Sequence, residues 1–247
     1  MLKLITLGCI LALGSVVYGQ KIESGCGVDI VVMLDISCNI TSKNKAIMLE
    51  FMVDFANALD IGPSPEKAQM GLVTFDNFVY EEFFLNTYNS SSQIASHIER
   101  MDIHPDNDNM TRCGRRRDLA LISAKTLQLT SDQGIRDPMG IENPPIKQEV
   151  LIITTDGVTL PKYFAPDTIK EGGALKQDTR AEVFVISLSI EESKDGIDEF
   201  SAIASQPTDD FLIKNDFDTL LPSLEKNLGC FCGKYRVSKK QDRKKLE

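Results

Sequence analysis

Histidine is nearly missing from this chain of 247 residues, which holds only His97 and His104. Neither has a second His or Cys at ligand spacing, so no zinc site of the usual kind is assembled and both read as exposed or core-edge residues. The sequence contains no Gly-x-Ser-x-Gly, no phosphate loop and no Gly-x-Gly-x-x-Gly. The common nucleophile, nucleotide and dinucleotide readings go with them. Beyond residue 19 no apolar run approaches the ~20 residues a membrane span needs. There is no internal repeat. Basic residues are in deficit, 27 Lys and Arg against 36 Asp and Glu for a formal charge of -9. That balance argues against nucleic acid as a partner and for proteins or cations. With 42% hydrophobic and 26% charged residues, the chain is neither collagen, coiled coil nor disordered, and its length allows one sizeable core.

The two ends differ from the body. Lys3 precedes an uncharged apolar run from Leu4 to Tyr18, and Val17 and Gly19 are small enough for signal peptidase, so residues 1–19 read as a signal peptide. Secretion into an extracellular, disulfide-permitting compartment follows. At the other end, residues 233–247 carry seven Lys and Arg against two acidic residues and show no apolar periodicity. This basic tail is expected to be disordered.

Between them, Val28 to Leu34, Gln69 to Phe75, Val150 to Thr155 and Val183 to Ile190 are near-continuous apolar runs, the pattern of strands buried on both faces. Phe78 to Phe84 follows an Asp76-Asn77 turn signal and carries Glu81 and Glu82, which predicts an antiparallel edge strand. Helical spacing appears in Met48, Phe51, Met52, Phe55 and Leu59, in Ile197, Phe200, Ile203 and Ala204, and in Phe217, Leu220, Leu221, Leu224 and Leu228. Ser131 to Gln148, with its Gly and Pro residues, reads as a surface loop. The alternation gives an α/β class: a doubly wound, mostly parallel sheet with helices on both faces.

In such a sheet, ligands bind outside the carboxyl ends of strands where the strand order reverses. Asp35-Ile36-Ser37-Cys38-Asn39 ends the first strand and Thr154-Thr155-Asp156-Gly157 ends a later one. Carboxylates and hydroxyls converging there suit a hard cation, Mg2+ or Mn2+, with Ca2+ possible in a looser geometry.

From Cys26 to Cys232 the chain resembles the von Willebrand factor type A domain, most closely the secreted subgroup of matrilins and collagen VI. The resemblance rests on Val28-Asp29-Ile30-Val31-Val32-Met33-Leu34-Asp35-Ile36-Ser37, on Ile152-Ile153-Thr154-Thr155-Asp156-Gly157, and on Ile203-Ala204-Ser205-Gln206-Pro207 followed by Phe217-Asp218. It implies a six-stranded sheet with one antiparallel edge strand, a domain over residues 26–232, and one metal-ion-dependent adhesion site. By resemblance, Asp35, Ser37 and Asn39 form the first metal loop, Thr111 the second and Asp156 the third. The metal would bind a carboxylate offered by an Asp or Glu of an extracellular protein ligand, collagen or another matrix protein, with no catalysis. In this fold the termini share one end, so Cys26 would bridge to Cys230 or Cys232. Cys38 and Cys113 flank the metal loops and pair there, unless one is a buried free thiol. One cysteine is left over, which suggests a disulfide-linked oligomer.

Three acceptor sequons stand at Asn39, Asn89 and Asn109. A sugar at Asn39 would lie across the metal loop, whereas one at Asn89 would be harmless. An alternative reading is therefore a structural matrix protein of the same fold with a glycan-capped site, working through disulfide-linked assembly. A metal-dependent hydrolase is a third, for which no general base is visible. Arg112, Arg115, Arg116 and Arg117 crowd one helix start and read as a solvated rim offset by Asp106, Asp108 and Asp118. A rim that attracts acidic partners, or a site for a basic-directed protease, is the functional alternative.

Overall fold

The computed structural model describes residues 27–38, 40–103, 113–136, 146–154, 158–187 and 194–214. Six strands form one sheet in the order β3-β2-β1-β4-β5-β6. These are β1 (Val28–Asp35), β2 (Ala68–Phe75), β3 (Val79–Phe83), β4 (Lys147–Thr154), β5 (Glu182–Ser187) and β6 (Leu212–Lys214). All neighbours pair in parallel except β2 with β3, which is antiparallel. The expected edge strand is thus in place, and with Phe83 as its one fully buried residue it is less covered than β1 and β2, as an edge is.

Every residue of β1 and β2 is buried, as continuous apolar strands in the middle of a two-sided sheet must be. The helices are α1 (Ser42–Ala58), α2 (Ser91–Ile98), α3 (Arg117–Leu127), α4 (Ala165–Thr179), α5 (Lys194–Ile203) and the single turn α6 (Thr208–Phe211). α1 packs on α2, while α3 packs on α4 and α4 on α5. The buried stripe of α1 is Met48, Phe51, Met52 and Phe55, at helical spacing. α2 opens with a reciprocal cap, Ser90 Oγ accepting from Gln93 N and Gln93 Oε1 accepting from Asn89 N.

Two expectations need correction. β4 starts at Lys147 rather than Val150, because its polar first residues find partners: Lys147 Nζ lies 2.7 Å from Glu149 and 2.5 Å from Glu182 across the β4–β5 pair. Within the expected loop, Ser131–Gln133 also forms a 3-10 turn. β5 ends at Ser187, and the further residues expected in that strand, like the helix over 217–228, lie outside the described residues. So do the leader, the basic tail, His104, Cys26, Cys230 and Cys232.

The topology creates one switch point. From β1 the chain crosses to β2 on one side and later returns to β4 on the other. The carboxyl ends of β1 and β4 therefore flank a crevice, the place where this class of sheet binds ligands.

Candidate cation site at the carboxyl end of the sheet

Asp35 is the last residue of β1 and is fully buried, as is Ser37 two positions later. β1 and β4 run in parallel with Leu34 opposite Ile153, so Asp35 and Thr154 end neighbouring strands at the same edge. Asp156 follows two residues beyond Thr154 and, with Asn39 and Thr111, lies outside the described residues. Asn109 does as well, so two of the three sequons fall there.

The first loop is held by its own sequence. Ile36 N donates to Phe75 O at 2.9 Å, which prolongs the β1–β2 pairing past Asp35. Asp35 Oδ1 accepts from Ser37 N at 3.0 Å, and Ile40 N donates to Ser37 O at 3.1 Å. Thr41 then caps α1, its hydroxyl accepting from Asn44 N. The Ser37 hydroxyl is buried and finds no hydrogen-bond partner among the described residues. A buried hydroxyl without a partner costs about 1 to 3 kcal/mol, so its oxygen is poised for a ligand. Together with the Asp35 carboxylate this is a hard-oxygen donor pair, which fits Mg2+, Mn2+ or Ca2+. No group of three or more His, Cys, Asp or Glu able to hold a metal occurs among the described residues.

The second loop is tied to the first by a disulfide between Cys38 and Cys113. After Cys113, Gly114 lies so close to the β2–β3 turn that a Cβ there would stand 2.4 Å from Asn77 Oδ1. That turn is the expected one, with Asp76 Oδ1 accepting from Phe78 N at 2.7 Å. Arg115 bonds Leu160 through both main-chain groups, at 2.8 and 3.1 Å, and Arg116 N donates to Asp76 O at 2.7 Å. Segments following β1, β2 and β4 thus converge on residues 113–116.

The arginine cluster departs from the solvated rim expected of it. Arg117 is completely buried and Arg115 is 4% exposed, with only Arg116 half-buried at the surface. Arg116 makes a two-pronged bond to Asp118, at 2.9 and 2.8 Å, and lies over the Phe164 ring. Asp118 therefore does offset the cluster, while Arg112, Asp106 and Asp108 lie outside the described residues. Burial pushes Arg115 below the ordinary arginine range, and the Asp35 carboxylate opposes that shift.

Arg117 pairs with the buried Glu199 of α5. Glu199 also accepts from Thr159 N at 3.0 Å and Thr159 Oγ1 at 2.7 Å, and Thr159 Oγ1 lies 2.7 Å from Thr168 Oγ1 of α4. One polar network therefore braces α3, α4, α5 and the segment after β4 behind the crevice. The residue types alone did not reveal it, but the spacing holds the signal. Arg117 stands three and four positions before the buried Ala120 and Leu121, and Glu199 stands four before Ile203. Each charge falls on the stripe that faces inward.

A pocket of about 100 Å³ adjoins the first loop, lined by Ile36, Tyr80, Glu82, Met101, Asp102 and Ile103. At the far end of the sheet, Asn89 is exposed, because β3 runs away from the crevice before α2 begins. His97 is half-buried against Phe83 and meets the Tyr88 hydroxyl at 2.8 Å, the core-edge role expected.

Residues 29–227 match the family described as von Willebrand factor type A domain. Mouse (Mus musculus) matrilin-2 is 29% identical over 199 residues, covering 78% of this chain and 18% of the relative. Chicken (Gallus gallus) integrin alpha-1 is 26% identical over 211 residues, covering 81% of this chain and 65% of the relative. The chain thus spans less than two thirds of either protein's length. These relatives, with the collagen VI chains also matched, are matrix and adhesion proteins and not enzymes. Among solved structures, proximal thread matrix protein 1 of the mussel byssus, with a zinc-occupied MIDAS motif, superposes with a TM-score of 0.59 at 22% identity. That alignment covers 83% of this chain and 48% of that one. The manganese-loaded TRAP protein of Plasmodium vivax superposes with a TM-score of 0.58 at 17% identity, covering 83% and 74%.

Proposed function

This chain belongs to the von Willebrand factor type A domain family, and from that footing we propose that it is a secreted adhesion or matrix module binding a protein ligand through a divalent cation. Asp35 and Ser37 hold the ion, and Asn39, Thr111 and Asp156 complete its shell. The ion supplies an open position for an Asp or Glu carboxylate of the ligand, collagen or another matrix protein. The single observation that carries this is the buried Ser37 hydroxyl, which lacks a partner among the described residues beside a buried Asp35. Among the described residues, no helix is long and apolar enough to cross a membrane. Residues 1–19 serve as the leader, 26–232 as the domain and 233–247 as a basic tail.

The deciding experiment is ligand capture on immobilised collagen and matrix proteins with Mg2+, Mn2+ or Ca2+, and again with EDTA. Capture that survives EDTA unchanged would sink the cation mechanism.

A second reading has its own support. The Cys38–Cys113 pair leaves Cys26, Cys230 and Cys232, an odd number, after the leader. One of them is then available to link chains, as in a structural matrix protein with a sugar-capped site. A non-reducing gel of the mature protein showing monomer alone would remove that reading, and occupancy of Asn39 by glycan would favour it.

A further inference from the structure

We propose that the pocket beside the first loop receives a basic side chain, arginine or lysine, of the protein ligand. This deepens the reading above by naming a second group on the ligand, and it rests on that reading only in taking this end of the sheet as the ligand face.

The cavity, about 100 Å³, is lined by Ile36, Tyr80, Glu82, Met101, Asp102 and Ile103. That is several times the ~10–15 Å³ that a single water requires, so it has room for a side chain. Ile36 stands between Asp35 and Ser37, which sets the pocket against the first loop. Ile36 is buried, and Tyr80, Met101 and Ile103 pack on the core, so these walls are held from behind. Met101 N donates to Ile98 O at 3.1 Å, which turns the chain as it leaves α2.

Glu82 is placed by a break in the edge strand. Leu72 pairs with Phe83 and Val73 with Glu81, so the register slips and Glu82 is the extra residue of a bulge. Bulges of this kind re-aim a side chain at a sheet edge. Thr74 Oγ1, fully buried on β2, donates to Glu82 Oε1 at 2.6 Å and holds the carboxylate in place. The second acid, Asp102, is exposed.

The lining therefore combines two carboxylates with aliphatic and aromatic walls, and none of the six residues is basic. A bare metal ion gains nothing from such walls, and an apolar side chain makes no use of the acids. An arginine or lysine uses both, its methylene stem against Ile36, Met101 and Ile103 and its charge toward Glu82 and Asp102. Tyr80 adds an aromatic ring for the cation.

The test is an NMR titration of the mature protein with acetyl-arginine amide, acetyl-lysine amide and acetyl-norleucine amide, in EDTA so that no divalent ion takes part. Norleucine keeps the apolar stem and lacks the charge. The basic amides are expected to move the main-chain amide resonances of Ile36, Met101 and Ile103 saturably, in the millimolar range that ligands so small reach, and the norleucine amide to bind at least about tenfold more weakly. Glu82→Gln, which keeps the acceptor for Thr74, and Asp102→Asn should each weaken the basic amides by about threefold. Norleucine amide binding as tightly as the basic ones, no saturable shift with any of the three, or variants that bind the basic amides as wild type does would each overturn the proposal. The cation reading stands or falls separately, on capture with and without EDTA.

Discussion

The Cα atoms of Cys38 and Cys113 stand 4.7 Å apart and the two residues are joined by a disulfide across 75 positions of sequence. The bond welds the loop after β1 to the segment that enters α3, and so fixes Asp35 and Ser37 relative to Arg115. A closed loop of that length restricts the unfolded chain by about 4 kcal/mol. The double variant Cys38→Ser/Cys113→Ser should lose stability of that order in urea unfolding under non-reducing conditions. A loss below about 1 kcal/mol would mean that packing alone holds the loops.

Arg117 and Glu199 form a pair with almost no contact to solvent, so their energetics depend on which partner is removed. Arg117→Met leaves the Glu199 carboxylate buried without its cation and should cost about 3 to 5 kcal/mol. The double variant Arg117→Met/Glu199→Leu should cost less than the single one, because no buried charge is left uncompensated. Chemical denaturation of the set measures this, and a double variant weaker than both singles would contradict it.

Glu149 is buried on β4, and burial raises its carboxyl above the ordinary value of 4.5, with Lys147 opposing the rise. In the folded state it holds its proton at pH values where the unfolded chain has released it. The folded state then binds more protons than the unfolded one, and stability falls as pH rises from about 4.5 through the raised value. Glu149→Gln should therefore raise the unfolding midpoint more at pH 7 than at pH 4. Equal effects at both would show that the carboxyl does not titrate differently on folding.

Asn89 is exposed at the end of the sheet away from the crevice. Asn89→Gln, or removal of a sugar there, should leave stability within about 0.5 kcal/mol and cation binding unchanged. Thermal unfolding and titration of the two forms check this.

The chain's own pattern revealed the strands because β1 and β2 are apolar at nearly every position, and it revealed the turn at Asp76 because Asp and Asn bond their own backbone. α4 escaped notice for a physical reason: its buried face is Thr168, Gly172, Leu175 and Thr179, with Gly172 closely opposed to Ile203. Small and polar residues give no apolar stripe to count. β6 is three residues long, too short for any period. Asp35 and Ser37 were legible because they end a buried run, and the structure adds that both are buried. Arg115 and Arg117 misled because charge usually means solvent; only the inward phase of Arg117 and Glu199 on their helices distinguishes a buried pair from a rim.

The central claim, that Asp35 grips a divalent ion, is tested most directly by calorimetric titration of Mn2+ into the mature wild-type protein and its Asp35→Asn variant. The account predicts saturable binding of one ion per chain in wild type and loss of that binding in the variant. Equal binding by both proteins, or none by the wild type, would contradict it.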